Sequence, residues 1–244
     1  MSTPAPAVEA LRQLIDKSRN IVFFGGAGMS TESGIPDFRG AHGLYGDAEG
    51  KSYEAMLSIR YFLNQPAAFW AFYKRVMLHP GARPNAGHYA LARLEAQGRL
   101  KAVVTQNIDG LHQAAGSRVV HELHGTVHRN RCLSCGSVYN LDYVLAAQGA
   151  PHCACGGMLR PDIVFYGEPL GSDVMDAAIR AVMKCDLLIV GGTSLSVYPA
   201  AGLLGYRREA RLALINLTET PFDQRADLVV RQSTAAALGS AVPA

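Results

Sequence analysis

Four cysteines constrain this chain more than any other feature. Cys132-x-x-Cys135 is followed, after seventeen residues, by Cys153-x-Cys155. Four thiolates at that spacing suit one tetrahedral metal ion. Zinc held by four protein ligands keeps no open position, so such a site is structural. The surrounding stretch, residues 126–160, is rich in turn-forming types and reads as an inserted module. An iron–sulfur cluster is the rival occupant. Cys-x-Cys is also a tighter hook than the commoner Cys-x-x-Cys, and His152 is the alternative to Cys155 as fourth ligand. Cys185, just ahead of an apolar run, reads as an ordinary half-buried thiol.

Around this insert the chain alternates. Short continuous apolar runs at Ile21–Phe24, Ala102–Thr105, Asp186–Val190, Leu212–Asn216 and Leu228–Val230 have the character of strands buried on both faces. Val119-Val120 and Ile163–Tyr166 read as further strands. Helical spacing appears at Val8, Leu11, Leu14 and Ile15, across most of residues 53–97 with breaks at Pro66, Pro80 and Pro84, and around Asp173–Met183. Strands alternating with helices predict an α/β fold, a doubly wound parallel sheet carrying inserted material. The net charge of +3 is too small to imply a nucleic-acid or membrane surface. No apolar run approaches the length of a membrane span, and no basic stretch leads into an apolar one near Met1. Clustered thiolates suit a reducing compartment, so a cytoplasmic location is expected, with a monomer favoured.

Three polar clusters follow strands. Phe24 runs into Gly25-Gly26-Ala27-Gly28-Met29-Ser30-Thr31, where glycines with φ > 0 would let a phosphate approach the backbone. The dehydrogenase fingerprint fails there: Thr31 stands where the third glycine belongs, and no acid sits at a strand end twenty residues on. Asp37-Phe38-Arg39 then combines a carboxylate, an aromatic ring and a guanidinium. Gln106-Asn107-Ile108-Asp109 follows the second strand, where open α/β sheets bind ligands. Gly191-Gly192-Thr193-Ser194 and Asn216 end two later strands. His121-Glu122-Leu123-His124 misses the zinc-protease pattern, because its second histidine is at i+3 and Gly125 argues against a helix.

Taken in order, these motifs resemble one family, the sirtuins, NAD-dependent protein lysine deacylases. The resemblance rests on Gly26–Arg39, Thr105–Asp109, Leu123-His124-Gly125, the four-cysteine insert, Arg160–Glu168 and Gly192–Leu195. It implies a Rossmann-like NAD-binding domain of residues 1–40, 88–125 and 161–244. A helical module (41–87) and a zinc module (126–160) would form a smaller inserted domain. It further implies that Ala27, Thr31, Asp37, Arg39, Gln106, Asn107, Thr193, Ser194 and Asn216 bind NAD. Phe38, Ile108 and Asp109 would shape the nicotinamide pocket. His124 is implied as the general base, with Asn107 beside it in the catalytic set. Val164, Phe165, Gly167 and Glu168 would hold acylated lysine side chains of protein substrates through a main-chain strand. One structural zinc, and no direct nucleic-acid partner, are expected. Where desuccinylating relatives carry Tyr-x-x-Arg, this chain has Tyr73 followed by Val76, so neutral acyl groups such as acetyl are favoured. Gln232-Ser233-Thr234 replaces a Gly-rich turn expected against the adenine. Mono-ADP-ribosyl transfer from the same NAD site, and a zinc-ribbon binding module without turnover, are the competing functions.

Overall fold

In the computed structural model residues 6–37 and 53–243 are described; the expected cofactor residues Phe38 and Arg39 lie outside them. Nine strands form two sheets among the described residues. The larger comprises β1 (Ile21–Gly25), β2 (Leu100–Thr105), β3 (Val120–Glu122), β7 (Leu187–Gly191), β8 (Arg211–Ile215) and β9 (Leu228–Val230). All its pairings are parallel, in the spatial order β3-β2-β1-β7-β8-β9. Counted within this sheet alone, that order is 3-2-1-4-5-6, the Rossmann arrangement, with its reversal between β1 and β7.

The continuous apolar runs behave as two-faced strands. Ile21 and Phe23 join a core with Leu187, Ile189, Ala213 and Ile215 on one face. Their neighbours Val22 and Phe24 join Leu188, Val190, Leu212 and Leu214 on the other. This is the period-2 alternation of a strand with both sides covered. The first face is packed by α1 (Pro6–Lys17), α5 (Ala86–Ala96) and α9 (Thr234–Ala241), the second by α8 (Ser172–Lys184) and the 3-10 segment Ala200–Tyr206.

A second, antiparallel sheet runs β5 (Val138–Tyr139), β4 (Gly125–Cys132), β6 (Leu159–Ile163). β6 therefore passes through the 160/161 position expected as a module boundary, and β4 starts one residue before the other. The strand expected at Ile163–Tyr166 is displaced to Leu159–Ile163. Residues 164–166 instead leave the sheet to meet α3 (Ile59–Asn64), through Tyr166 N to Leu57 O (3.0 Å) and Ile59 N to Tyr166 O (3.1 Å). Pro66 opens α4 (Pro66–Val76) at its first turn, where a missing N–H costs nothing. Phe62, Phe69, Trp70 and Tyr73 from these helices share one core with Cys132, Cys153, Val144 and Leu159 from the cysteine-bearing stretch. The two inserted stretches are thus packed as one body.

The loops after β1 and β7 meet backbone to backbone. Gly26 N donates to Gly191 O (3.2 Å) and Gly28 N to Gly192 O (2.8 Å). A Cβ on Gly28 would stand 2.8 Å from the Gly192 Cα, and one on Gly26 would stand 2.9 Å from the Thr193 Cβ. Gly25, Gly26 and Gly28 are not among the positive-φ residues, so the sequence expectation of left-handed backbone there is corrected: closeness to the second loop demands Gly26 and Gly28, and the Phe23 ring, 2.5 Å from where a Cβ would stand, demands Gly25. Gly192 does have φ +63, and a Cβ there would lie 2.4 Å from Met29 N. We expect Gly192→Ala to cost at least about 2 kcal/mol of stability. Gly34→Ala, also at positive φ but with nothing within 4 Å, should cost only ~1 kcal/mol. Urea unfolding of both variants checks the ranking.

Candidate active site

The C-terminal ends of β1, β2 and β7 converge where the strand order reverses. Gln106 ties all three: its N–H donates to Gly25 O (2.9 Å), and its side-chain amide donates to Thr193 Oγ1 (3.1 Å). Its carbonyl faces His124 Nδ1 at 2.9 Å. A carbonyl only accepts, so Nδ1 carries the proton and Nε2 keeps its lone pair. His124 follows β3, and its own carbonyl accepts Val164 N (2.9 Å). Burial holds its pKa below the usual histidine value, and the bond to Gln106 offsets part of that shift. Nε2 is therefore an unprotonated acceptor at neutral pH.

Asp109 is held on all sides. Ser30 Oγ donates to Oδ2 (2.7 Å), and Leu111 N donates to Oδ1 (2.9 Å) at the start of the short helix α6 (Leu111–Ala114). Asn107 Nδ2 donates to the same Ser30 oxygen (3.1 Å). Ser30 is 1 % exposed and so cannot exchange these partners for water. Ala27, Ser30, Asn107, Ile108 and Asp109 line a cavity of about 410 Å³ that extends toward Val76 and Met77. That volume is within the range of small-molecule sites.

The remaining expected cofactor residues spread along the same edge. Thr31 Oγ1 donates to Gly28 O (3.2 Å), and Asp37 is half-buried at the end of the described loop. Thr193 Oγ1 also accepts Leu195 N (3.2 Å), and the Ser194 carbonyl accepts Ser196 Oγ (3.3 Å). Asn216 follows β8, with its amide turned toward Thr218 (3.0 Å to O, 3.2 Å to Oγ1). Ser233 caps α9 by accepting Ala236 N (3.1 Å) and also hydrogen-bonds the Glu32 carboxylate. The unexpected Gln232-Ser233-Thr234 thus serves as a helix start. Of the expected peptide-holding residues, Phe165 is an anchor, 1 % exposed, against Phe62 (centroids 5.2 Å) and Phe69 (5.4 Å). Glu168 takes two bonds from Arg160 (3.0 and 2.9 Å) and one from Phe165 N (3.0 Å). Burial would raise its pKa, but these partners outweigh it and leave the carboxyl below its usual range. Gly167, at φ +92, turns the chain between them.

The cysteines converge as expected. Their four sulfurs lie within 4.8 Å of one another, with Cys132–Cys155, Cys135–Cys153 and Cys135–Cys155 each at 3.5 Å. A zinc tetrahedron with ~2.3 Å bonds has sulfur–sulfur edges of about 3.8 Å, so the set fits the ion. Cys155 N donates to Cys153 Sγ (3.4 Å) and Gly156 N to Cys153 O (2.9 Å), the turn that accommodates Cys-x-Cys. Gly157 has no room for a side chain: its Cβ would stand 2.6 Å from Cys132 Sγ. His152 turns its Nδ1 to Ala150 O (2.9 Å), away from the cluster, which leaves Cys155 as the fourth ligand.

Several residues in this region were not singled out from sequence. Ser30 lay within a quoted motif, but nothing local signals its partners 77 and 79 positions away. Asn85 caps α5 through Gly87 N (3.0 Å) and also donates to Met29 O (2.8 Å) and Ser33 Oγ (3.0 Å), which pins the first glycine loop. Beneath it His88 and His112 are 0 % and 1 % exposed, with ring centroids 4.8 Å apart. Burial pulls their pKa values to about 4 and about 3.

Parallel α/β topology, glycine loops at the reversal and a neutral histidine beside a sealed Asn–Asp–Ser cluster together define a dinucleotide-using enzyme. The Sir2 family model matches residues 26–199, and the chain belongs to the Sir2 family. It is 55 % identical over 224 residues to an NAD-dependent protein deacetylase of Cutibacterium acnes, covering 91 % of this chain and 92 % of the relative. A Clostridium perfringens protein of the same description is 50 % identical over 239 residues, covering 96 % and 98 %. Among solved structures, a Sir2–p53 peptide–NAD+ complex superposes with a TM-score of 0.84 at 39 % identity, covering 95 % of each chain. A Sir2Tm structure bound to a propionylated peptide does so at 0.84 and 38 %, with the same coverage.

Two predictions arise here. Cys155→Ala should abolish the single zinc per chain measured by elemental analysis, whereas His152→Ala should retain it. Lowering the pH should also destabilise the fold. The unfolded chain binds protons at its histidines near pH 6.5, but folded His88 and His112 stay neutral until about 4 and about 3. Stability present above pH 6.5 is therefore lost as pH falls toward 3, by on the order of 3 kcal/mol per histidine. Denaturant titrations between pH 7 and 4 measure the slope, which His112→Phe should reduce.

Proposed function

We propose that this chain is an NAD-dependent protein lysine deacetylase that moves the acyl group of an acyl-lysine to ADP-ribose and releases nicotinamide. The observation that carries the reading is His124, its Nδ1 proton committed to the Gln106 carbonyl and its Nε2 free to accept. Residues consecutive with Gln106 line the cavity, so the base and the cofactor-binding cluster form one unit.

In this reading Gly26–Gly28 and Gly192–Ser194 receive the phosphates and Asn216 the adenosine half. Ala27, Thr31, Asp37 and Arg39 complete the cofactor contacts, and Phe38 and Ile108 border the nicotinamide. NAD supplies a glycosidic bond whose cleavage makes the ribose carbon electrophilic toward the weakly nucleophilic acyl oxygen. Asp109, immobilised by Ser30 and Leu111 N, receives the nicotinamide carboxamide. Asn107, fixed through the same serine, orients the ribose end. His124 Nε2 removes a proton from a ribose hydroxyl, whose oxygen bonds the acyl carbon of the imidate formed on the ribose. The C–N bond to lysine then breaks, the lysine leaves as its protonated amine, and one water supplies the oxygen that completes the ester. A neutral imidazole suits the proton removal at physiological pH.

The segment Val164–Glu168 is braced by Arg160, Phe62 and Phe69, as a main-chain platform for an extended peptide must be. Val76, where an arginine would pair with a charged acyl group, lines the cavity as an apolar wall, which favours acetyl. The two inserted stretches, 41–87 and 126–160, act as one smaller domain across the cleft, with zinc as its scaffold. The free thiols fit a reducing, cytoplasmic setting. Among the described residues no helix is long and apolar enough to cross a membrane.

Mass spectrometry of an acetyl-lysine peptide with and without NAD tests the reading; NAD-independent or absent deacetylation overturns it. His124→Ala should lower kcat/KM by about 10²-fold or more with the fold intact by circular dichroism. For the native enzyme the acid limb of kcat/KM should fall below pH 6.5, because burial lowers the His124 pKa and only the neutral ring accepts a proton. Activity is then lost as pH drops through that depressed value, and a midpoint above 6.5 would remove His124 from the role.

A further inference from the structure

The zinc-bearing stretch reaches the cofactor cluster at one place. β4, which ends in the ligand Cys132, begins beside the turn that carries Asp109. Two consecutive β4 residues bond to that turn: Val127 N donates to Ile108 O (3.0 Å), and His128 Nε2 lies 3.0 Å from Asp109 O. Because the acceptor is a carbonyl, Nε2 must be the protonated nitrogen and the donor. The ring stands over Gly110, where a Cβ would be 2.6 Å from Nε2 and where φ is +71. Glycine at 110 therefore both makes the left-handed turn and leaves space for the imidazole. With Ser30 on Oδ2 and Leu111 N on Oδ1, the His128 bond means that each of the three oxygens of Asp109 has a donor from a different part of the chain. His128 and Val127 also form part of the wall of the 410 Å³ cavity, next to Asp109 and Gly110.

We infer that His128 is a positioning residue for nicotinamide recognition: it clamps the Asp109–Gly110 turn to the zinc-bearing sheet and so sets the direction of the Asp109 carboxylate. This rests on the deacetylase reading, in which Asp109 receives the carboxamide. His128 does not take part in proton transfer. It acts through the turn, and its side chain is exposed on the other side, so its removal leaves no buried unpaired group except the Asp109 carbonyl. The platform at Val164–Glu168 is held by other bonds, from Arg160 to Glu168, from Val164 N to His124 O and between Tyr166 and the residues at Leu57 and Ile59. Losing the His128 bond should therefore affect the nicotinamide half of the reaction and spare the peptide half.

The test is steady-state deacetylation of an acetyl-lysine peptide by wild type, His128→Ala and His128→Gln, with nicotinamide as the inhibitor. For His128→Ala we expect the nicotinamide inhibition constant and KM for NAD each to rise about threefold to tenfold, the worth of one partly exposed hydrogen bond. KM for the peptide and zinc per chain should stay at wild-type values. Glutamine places an amide N–H close to the position of the imidazole Nε2–H, so His128→Gln should recover most of the nicotinamide affinity. An unchanged inhibition constant in His128→Ala overturns the inference, as does a parallel rise in the peptide KM, which would mark general damage. A glutamine variant no better than alanine overturns it too, by removing the hydrogen bond as the cause. Absence of NAD-dependent turnover in the wild type is a different result: it defeats the deacetylase reading, and this inference with it. If His128→Ala fails to fold, the glutamine variant and wild type alone decide. Loss of nicotinamide affinity in a folded His128→Gln protein then counts against the proposed bond.

Discussion

Contact between two glycine loops, one after β1 and one after β7, is the constraint on which the rest depends. The loops share main-chain hydrogen bonds at 2.8 and 3.2 Å and leave no space for a Cβ at Gly28 or Gly192. Because they close against each other, the ends of β1, β2 and β7 lie near enough for one residue, Gln106, to join all three through its backbone N–H and its side-chain amide. Gln106 in turn sets the tautomer of His124 through its carbonyl. Which nitrogen of His124 carries the proton is thus set by packing at the reversal of strand order, through the Gln106 carbonyl.

The smaller body works by a different physics. It has little sheet: β5 is two residues long, and β4 bulges out of its pairing with β6 between Thr126 and Asn130. Its stability comes from aromatic packing around Phe69 and Phe165, from four thiolates arranged for zinc, and from polar clasps between its two stretches of chain. Lys74 Nζ donates to Ala147 O (2.6 Å) and Gly149 O (2.8 Å), which binds α4 to the zinc-bearing stretch. Phe165, with Arg160 over its ring at 4.9 Å, carries that core up to the segment that leaves β6. The cysteine cluster and the Val164–Glu168 segment are therefore parts of one packed core.

Much of this was legible in the residues. Continuous apolar runs such as Ile21–Phe24 announce strands covered on both faces, because no solvent-facing position interrupts them. Cysteine spacing announced a metal, and the absence of a third glycine at Thr31 argued against a dehydrogenase. Other features were not legible, for physical reasons that differ from place to place. Ile163–Tyr166 has strand composition, yet Phe165 is drawn out of the sheet by Phe62 and Phe69 and the strand forms earlier. The glycines at 25–28 suggested left-handed backbone, but the need for Gly26 and Gly28 is set by a loop some 165 residues away in sequence. Ser30, Asn85 and His128 are ordinary polar residues until a distant segment is laid against them.

By itself the sequence determined the order of the strands of the parallel sheet along the chain, the metal ligands but for the choice between Cys155 and His152, and most of the polar residues that follow those strands. These are local properties, written in periodicity and spacing, and in motifs whose joint order defines the Sir2 family. Only the tertiary structure decided which nitrogen of His124 carries the proton, which three groups hold Asp109, and that Cys155 and not His152 joins the sulfur cluster. Each of those outcomes turns on a donor and an acceptor brought within about 3 Å from segments far apart in the chain. No pattern along one segment contains that distance.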